Sequence, residues 1–435
     1  MTHRESILNA FKPGAEIEHP AAFAGRRDEI LNLLDALYVD GSCPVIYGDR
    51  GLGKTSLALQ VERIALGDVE LLNELDCSER ALPDRRRFTT FWISCSDSIV
   101  SKNDILQRII NNAEGYDRLE SLPSREVVGH STKRKINLKF FEAETEKQYQ
   151  PTSPQKFSQL DIEERLTAVA ETVCQKTRSR VLFIIDELDR VRDTSGLASF
   201  IKNTSTASIK FLLIGIAQNV SSLLYDHTSL ERKLIPVRIR KMKPKELESI
   251  ITKTMALLGT EENRFNYDKE AIQATVAAAD GFPWFVHVLA QEALRRAYDD
   301  GRTSITVSDV NAAIKGLASS RFAQQFSDTY QMAVKDSYYR EIVLRFFARW
   351  RDDDIPTSEI YPLAKELGVS NTSIYKKDLT LATYGRVLVT PPDQPRGIVR
   401  FRNAMFKRYV SLRGSIYGDV KENVDKAWAN KFGEG

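Results

Sequence analysis

The sequence has little cysteine, little histidine and no long run of apolar residues. Its four cysteines (43, 77, 95 and 174) are scattered along 435 residues without a C-x-x-C pair, so we expect reduced core thiols of a cytosolic protein. The five histidines lack the spacing of metal ligands. The longest apolar runs, such as 211–217, are too short to cross a bilayer, and the first residues lack the apolar core of a signal peptide. These absences predict a cytoplasmic protein without a membrane partner.

The overall charge is nearly balanced, with 62 Lys and Arg against 59 Asp and Glu. A net charge of +3 does not by itself indicate a nucleic-acid partner, so any such argument has to come from local clusters. The 42% hydrophobic content is ample for buried cores. The length predicts two to four domains.

A glycine-rich segment after a short apolar run carries the clearest motif. Residues 45–47 are typical of a buried strand, and an apolar-periodic run from Ser56 is typical of a helix. Between them, Gly48, Gly53, Lys54 and Thr55 satisfy G-x-x-x-x-G-K-[ST], the phosphate-loop pattern. Backbone N–H groups of such a loop cradle phosphate oxygens, Lys54 is expected to reach the β- and γ-phosphates, and Thr55 is expected to bind Mg²⁺. The predicted nucleotide contacts run through the whole loop: Gly48, Asp49, Arg50, Gly51, Leu52, Gly53, Lys54, Thr55 and Ser56.

A second motif lies about 130 residues downstream. Residues 181–185 are all apolar, as in a strand that is buried on both faces of a parallel sheet, and Asp186 and Glu187 follow directly. The carboxyl ends of parallel strands are where α/β sheets bind ligands. We expect Asp186 to hold Mg²⁺ and Glu187 to orient and polarise the attacking water.

The rest of the chain divides by its patterns. We predict a lead-in over 1–21, an α/β core over 22–240 and an insertion at about 112–158, whose basic cluster 133–139 is a candidate for phosphate contact. A helical region over 241–320 shows four helices by periodicity, at 244–258, 268–279, 283–298 and 308–318. A connecting helix over 321–335 precedes residues 336–415, and 416–435 are expected to be a tail.

Residues 336–415 combine three helices with a hairpin. The helices are expected at 338–350, 356–367 and 369–382, and the hairpin strands at 386–389 and 398–402, which together predict a winged helix. This segment has fourteen Lys and Arg against nine Asp and Glu, a net charge of +5. Residues suited to phosphates and base edges occur on the third helix and at the wing tip: Ser370, Asn371, Thr372, Ser373, Tyr375, Lys376, Lys377 and Arg396.

Together these features resemble the AAA+/STAND P-loop ATPases of the origin-recognition-like type. The resemblance covers about 22–415 and includes Phe23 to Glu29, which resembles the adenine-side segment of that family. It implies an α/β fold with a P-loop NTPase core (a parallel sheet in an αβα sandwich), a small helical lid and a C-terminal winged helix. It also implies ATP and Mg²⁺ as cofactors, ATP or ADP binding between core and lid, and a homo-oligomer.

The resemblance further assigns roles to single residues. Arg26 and Pro283 are expected at the nucleotide, Asn219 or Gln218 is expected to sense the γ-phosphate, and Arg232 is expected to act as an arginine finger, within the chain or from a neighbouring one. Trp284 stands where many AAA+ proteins have an arginine, which favours a slow ATPase switch over a fast motor.

Two functions remain open at this point. One is an ATP-controlled switch that binds double-stranded DNA through the winged helix. The other is a signalling or scaffold NTPase, as in bacterial defence or stress systems, whose winged helix binds a protein effector. A polypeptide-threading motor is disfavoured because no aromatic pore-loop signature follows the strand at 88–95.

Overall fold

The chain folds into two compact units. The computed structural model describes residues 3–83, 87–113, 161–217, 219–224, 228, 230–258, 265–391 and 394–433. One unit comprises residues 16–240, and the other comprises 1–15 together with 241–435. The predicted insertion at 112–158, with its basic cluster, lies almost wholly outside the described residues, as does Gln218.

A five-stranded parallel sheet forms the centre of the unit 16–240. Its strands are β1 (Cys43–Gly48), β2 (Phe88–Ser94), β3 (Arg180–Asp186), β4 (Ile209–Ile216) and β5 (Leu234–Arg238). Their order is β2-β3-β4-β1-β5, so β4 lies between the strand before the phosphate loop and the strand before the acidic pair. The predicted P-loop NTPase fold is confirmed.

Helices cover both faces of this sheet, which explains the all-apolar strands. Phe183 and Ile185 of β3 face one hydrophobic core, whereas Leu182 and Ile184, which alternate with them, are fully buried on the other side. Among the described residues of this unit, the α-helices are Arg27–Tyr38, Lys54–Ala65, Glu70–Glu74, Lys102–Ala113, Ile162–Thr177 and Leu197–Thr204. All four cysteines are free, and three of them are buried, as expected for core thiols.

The second unit contains the four predicted helices of the 241–320 region. They are Pro244–Leu258, Lys269–Ala279, Pro283–Asp299 and Val307–Gly316, with a short parallel pair, β6 (Asn266–Tyr267) and β7 (Ser304–Ile305). The helix Gln324–Val334 then matches the predicted connecting helix.

The lead-in is not irregular, in contrast to the sequence-based expectation. Its first residues form the helix His3–Leu8, and Ile7 and Phe11 are fully buried. The side chain of Gln291 accepts the Phe11 N–H at 3.0 Å and donates to the Ile7 carbonyl at 2.9 Å. The segment is ordered by packing on the helix Pro283–Asp299, a contact that local sequence patterns do not encode.

The winged helix is confirmed, with two differences. It comprises the helices Tyr338–Arg349, Thr357–Glu366 and Thr372–Asp378 and the strands β8 (Ile355–Pro356), β9 (Leu388–Val389) and β10 (Ile398–Phe401), ordered β8-β10-β9, so a third short strand joins the predicted hairpin. The third helix is shorter than the predicted 369–382. The chain turns back directly after it, because the Leu379 carbonyl accepts the N–H of Leu388 at 3.0 Å.

The predicted tail is also folded. The helix Ala404–Leu412 follows β10, and Val420–Phe432 forms a further helix. The Trp428 ring lies 6.1 Å from that of Trp350 and 4.7 Å from that of Phe432, so burial of aromatic surface holds this helix in place. In the part of the chain that the structure describes, no helix is both long enough and apolar enough to span a membrane.

Candidate nucleotide site and winged-helix surface

The phosphate loop is a tight turn between β1 and the helix Lys54–Ala65. Gly48, Gly51 and Gly53 all have positive φ. A Cβ at Gly48 would lie 2.5 Å from the carbonyl oxygen of Ile239, so only glycine allows β1 to end this close to the chain after β5. The helix that follows points its N-terminal N–H groups at the loop, which suits an anion.

Lys54 is a buried cation without an ionic partner among the described residues. Its side chain is 8% exposed, and Nζ donates to the carbonyls of Gly48 (3.1 Å) and Asp49 (2.8 Å). Burial lowers the pKa of the Lys54 ammonium to about 8, although nearby carboxylates, chiefly that of Asp189, act in the opposite direction. A buried ammonium bonded only to neutral carbonyls is suited to receive the negative charge of a ligand.

The two motifs meet at a single hydrogen bond. Thr55 Oγ1 donates to Asp186 Oδ2 at 2.9 Å across 131 residues of sequence. The other carboxylate oxygen, Oδ1, accepts the backbone N–H of Glu187 at 2.7 Å. Asp186 is 3% exposed, and burial raises the pKa of its carboxyl group.

These oxygens fit a magnesium ion. A hydroxyl and a carboxylate are the hard ligands that Mg²⁺ takes, and it commonly uses only one or two protein groups besides water and phosphate oxygens. A cation beside Asp186 would also compensate the cost of keeping this carboxylate charged in a buried place. Thr55 and Asp186 are therefore the residues that would hold the ion.

Glu187 lies beyond the end of β3 in a left-handed backbone conformation, with φ of 54°. Its carboxylate is about half exposed and lies 3.2 Å from Arg190 Nη1 and 3.5 Å from Ser94 Oγ at the end of β2. Arg190 is held in turn by Asp97 at 3.1 Å. The carboxylate predicted as the base is thus oriented by residues of two neighbouring strand ends and remains open to water.

The polar residue after β4 lies near the same edge. Gly48 of β1 pairs with Ile216, the last residue of β4, so Asn219 follows closely beyond the level of the phosphate loop. Asn219 is exposed, and its Oδ1 accepts from Ser221 Oγ at 2.7 Å. The alternative sensor, Gln218, lies outside the described residues.

Asp189 is a site residue that the sequence analysis missed. Its Oδ1 accepts the backbone N–H of Ile216 at 2.8 Å, which joins the acidic turn to the end of β4. The D-E-x-D spacing of residues 186–189 is the signal that could have found it, but a carboxylate in a polar turn is usually only solvated.

Two predicted nucleotide contacts support the loop in this structure. Arg26 is 4% exposed, and its Nη2 donates to the carbonyl of Leu52 at 3.0 Å while Nη1 pairs with Glu29 at 3.0 Å. Ser56 Oγ accepts the N–H of Ile17 at 3.0 Å. Both contacts hold the loop and the segments around it, and a direct contact of either side chain with nucleotide remains a prediction.

Arg232 lies at the end of the strands opposite to the phosphate loop. It is exposed in the turn before β5, and the carbonyl of the next residue, Lys233, accepts the N–H of Cys43 at the start of β1 at 2.8 Å. The phosphate loop begins at the other end of β1, about 16 Å away at roughly 3.3 Å per residue. Arg232 therefore lies far from the loop of its own chain, and its role as an arginine finger remains a prediction.

Pro283 belongs to the other unit, where it begins the helix Pro283–Asp299. Trp284 is a packing residue there: its Nε1 donates to the carbonyl of Pro13 at 2.8 Å, and its ring lies 5.5 Å from that of Phe326. His287 is also buried, with Nδ1 accepting the N–H of Lys12 at 3.3 Å, and burial lowers its pKa to about 4.

The third helix of the winged helix presents most of its predicted contacts. Ser370, Asn371, Ser373, Lys377 and the wing-tip Arg396 do not belong to the buried core, and neither do the half-buried Tyr375 and Lys376. Thr372 is only 6% exposed, which argues against the prediction that its side chain contacts nucleic acid. It begins the helix and faces the core of the winged helix, and the sequence alone does not reveal its orientation.

The geometry is that of a phosphate loop beside an acidic strand end on an α/β fold, and a winged helix follows in the chain. No protein-family model matches the chain, and no curated protein sequence does either. Solved structures match over nearly the whole length: the ORC2 protein of Aeropyrum pernix in its ADP form (16% identity, 98% of both chains, TM-score 0.48) and Cdc6p of Pyrobaculum aerophilum (13% identity, 97% of this chain and 98% of that one, TM-score 0.43). The RuvB Holliday-junction branch-migration motor of Thermotoga maritima matches with 15% identity over 87% of this chain and 93% of its own, at TM-score 0.39.

Proposed function

We propose that this protein is an ATP-binding and slowly ATP-hydrolysing switch of the AAA+/STAND kind. The hydrogen bond from Thr55 Oγ1 to Asp186 Oδ2 carries the proposal, because it joins a phosphate loop to the acidic strand end that handles the metal. A glycine-rich turn that matched the motif by chance would not be expected to form a hydrogen bond with a buried carboxylate 131 residues away.

Each residue of the site has a distinct task. The loop N–H groups and the buried Lys54 bind the β- and γ-phosphates of ATP. Thr55 and Asp186 would hold Mg²⁺, which would supply positive charge against the negative charge of the phosphates. The half-exposed carboxylate of Glu187 accepts a proton from the attacking water.

Hydrolysis requires a second copy of the chain if Arg232 takes part. Its position at the far end of the strands supports an oligomer in which Arg232 of one copy approaches the phosphates of the next. The proposed turnover is slow, because a tryptophan with packing contacts stands where faster relatives are expected to carry an arginine.

The winged helix is the proposed output of the switch, and double-stranded DNA is its proposed partner. The net charge of +5 over 336–415 and the exposed Lys377 and Arg396 support phosphate contact. ATP and ADP then favour different arrangements of the chain, and the difference changes DNA binding or assembly.

A protein effector is the alternative partner, and one observation favours it. Ile374 on the third helix is 53% exposed, and Leu381 just beyond is 43% exposed. Neighbouring rings are also accessible, with Tyr338 at 39% and Tyr339 at 41%. Exposed aromatic and aliphatic side chains of this kind are typical of protein interfaces.

Glu187→Gln tests the assignment of the base. We expect the variant to bind ATP with the affinity of the parent and to hydrolyse it about 10²–10³-fold more slowly, because the amide cannot take the proton. Titration of ATP and phosphate release measure the two effects. Glu171→Gln, on the exposed face of the helix Ile162–Thr177, is the matched control. Equal turnover in Glu187→Gln and the parent would refute the assigned role.

The partner is tested by binding of duplex DNA to the intact chain with ATP and with ADP, at several salt concentrations. We expect the double variant Lys376→Ala/Lys377→Ala to reduce the slope of log affinity against log salt by about 2, roughly one unit for each lost phosphate contact. The double variant Lys245→Ala/Lys269→Ala removes two exposed lysines outside the winged helix and serves as control. Assembly that depends on ATP but is indifferent to DNA would instead favour the protein effector.

A further inference from the structure

The acidic turn after β3 holds a third carboxylate with a contact unlike those of its neighbours. Asp186 accepts from Thr55, and Glu187 pairs with Arg190, but Asp189 Oδ1 accepts the backbone N–H of Ile216 at 2.8 Å. Ile216 is the last residue of β4. Its N–H lies at the point where the strand ends and the chain leaves for Asn219.

The turn and the strand end are built to approach closely. A Cβ at Gly215 would lie 3.3 Å from Asp189 Oδ1 and 2.5 Å from Leu223 Cδ2. Glycine at this place therefore allows both the Asp189 carboxylate and the Leu223 side chain to approach the backbone of β4. Leu223 is buried and belongs to the segment that follows Asn219, so this segment also packs against the end of β4.

The same carboxylate acts on the phosphate loop. Asp189 makes the largest electrostatic contribution that keeps the buried Lys54 protonated, ahead of Asp186 and Asp49. One side chain thus influences the ammonium at the end of β1 and the backbone at the end of β4, although it belongs to the turn after β3.

We propose that Asp189 is a positioning residue that fixes the end of β4, and through it Asn219, relative to Asp186 and Glu187. This inference rests on the proposed ATPase function. It adds how the site holds its phosphate sensor, Asn219, in place relative to its base, Glu187. The carboxylate works through its hydrogen bond to Ile216, since an oxygen acceptor at this place is what holds the strand end.

Variants of Asp189 separate the hydrogen bond from the charge. Asp189→Ala removes the acceptor, and we expect turnover at saturating ATP to fall about 10- to 100-fold, because a small misplacement of a catalytic group costs that much. Asp189→Asn keeps an oxygen acceptor but no charge, and we expect it to restore turnover to within about 3-fold of the parent. Hydrogen exchange at the Ile216 amide should be faster in Asp189→Ala and unchanged in Asp189→Asn.

A matched control lies four residues away. Asp193 Oδ1 likewise accepts a backbone N–H, that of Ser195 at 2.9 Å, but this contact stays within its own turn. Asp193→Ala should leave turnover unchanged. The double variant Asp189→Ala/Asn219→Ala tests whether Asp189 acts on turnover through Asn219. We expect its turnover to be no slower than that of the slower single variant.

The possible results distinguish failure of the positioning role from failure of the proposed ATPase function. If the parent does not hydrolyse ATP, the proposed function fails. If the parent hydrolyses ATP and Asp189→Ala turns over at the same rate, the positioning role alone is overturned. If Asp189→Asn is as slow as Asp189→Ala, or if the losses in the double variant multiply, Asp189 acts through its charge or independently of Asn219, and the proposal is again wrong.

Discussion

Each of the two units contains a buried charged side chain, and the two side chains differ in their hydrogen-bond partners. Lys54 in the unit 16–240 donates only to the neutral carbonyls of Gly48 and Asp49, and burial lowers its pKa to about 8. Glu341 in the other unit is fully buried but completely partnered. Its two oxygens accept from Tyr330 Oη at 2.5 Å, Arg345 Nε at 3.2 Å, and the N–H groups of Ile416 and Tyr417 at 2.9 and 3.0 Å.

The network around Glu341 extends further through its arginine partner. Arg345 donates to the carbonyls of Val410, Arg413 and Gly414, and the Arg413 guanidinium lies 3.9 Å from the centre of the Tyr330 ring. The network thereby ties the connecting helix Gln324–Val334 and the helix Tyr338–Arg349 to the chain after the helix Ala404–Leu412. A charge with all its partners in place is structural.

The difference shows how to distinguish a ligand site from a structural ion pair. Both groups lose hydration on burial, but they differ in how far the protein compensates for it. Glu341 accepts hydrogen bonds at both oxygens, whereas Lys54 donates only to neutral carbonyls, and the carboxylates near it offset its burial only in part. Because the compensation of Lys54 within the protein is incomplete, a negatively charged group such as a phosphate would be favoured beside it. Three predictions test this contrast.

Lys54→Met should have the largest effect on binding. We expect ATP affinity to fall by about 10³-fold or more, because the main positive charge at the β- and γ-phosphates is gone. The free energy of unfolding should not fall, because the variant removes a buried charge that is only partly compensated and keeps a side chain of similar length. Calorimetric titration and denaturant unfolding measure the two. A Lys54→Met variant that is destabilised and still binds ATP would show that Lys54 has a structural role and not a ligand-binding one.

Glu341→Gln should show the opposite pattern. We expect a loss of about 3–5 kcal/mol in the free energy of unfolding, because Arg345 would be left buried without its carboxylate. ATP affinity of the folded protein should be unchanged. Urea unfolding of the intact chain checks the first effect, with the exposed Glu366→Gln as control. If stability is unaffected, the network is not the structural element we describe.

The smallest predicted effect is on pH dependence. Above about pH 8 the free protein loses the Lys54 proton, so ATP binding must recapture it, and affinity should fall by up to about tenfold per pH unit. Between this pKa and the ordinary value of 10.5 the unfolded chain holds more protons, so the contribution of Lys54 to stability rises with pH. In Lys54→Arg the side chain stays protonated, and any ATP affinity that it retains should not fall in this range. A parent affinity that is flat to pH 10 would contradict the assignment.

The sequence predicts those parts of the molecule that local patterns determine. The phosphate loop and β3 are recognisable because glycine spacing and an all-apolar run each restrict the local structure to very few possibilities. The strand–loop–helix order, the four helices of the 241–320 region and the winged helix follow from periodicity and turn residues.

What the sequence does not reveal depends on contacts between distant segments. The helices His3–Leu8 and Val420–Phe432 are ordered by packing on partners far along the chain. Asp189 resembles a solvated turn residue until β4 is placed beside it. The pairing of β1 with β5 is what places Arg232 at the end of the strands opposite to the phosphate loop. The burial of Thr372 is likewise visible only once the winged helix is packed.

The most direct test of the account is calorimetric titration of the intact chain with ATP, with and without Mg²⁺. The account predicts one nucleotide per chain and an affinity that falls when Mg²⁺ is withheld or when Thr55 is replaced by alanine. A folded chain that binds no ATP in the presence of Mg²⁺, or binds it equally well without the ion and without the Thr55 hydroxyl, would contradict the claim that Thr55 and Asp186 join the two motifs into one nucleotide site.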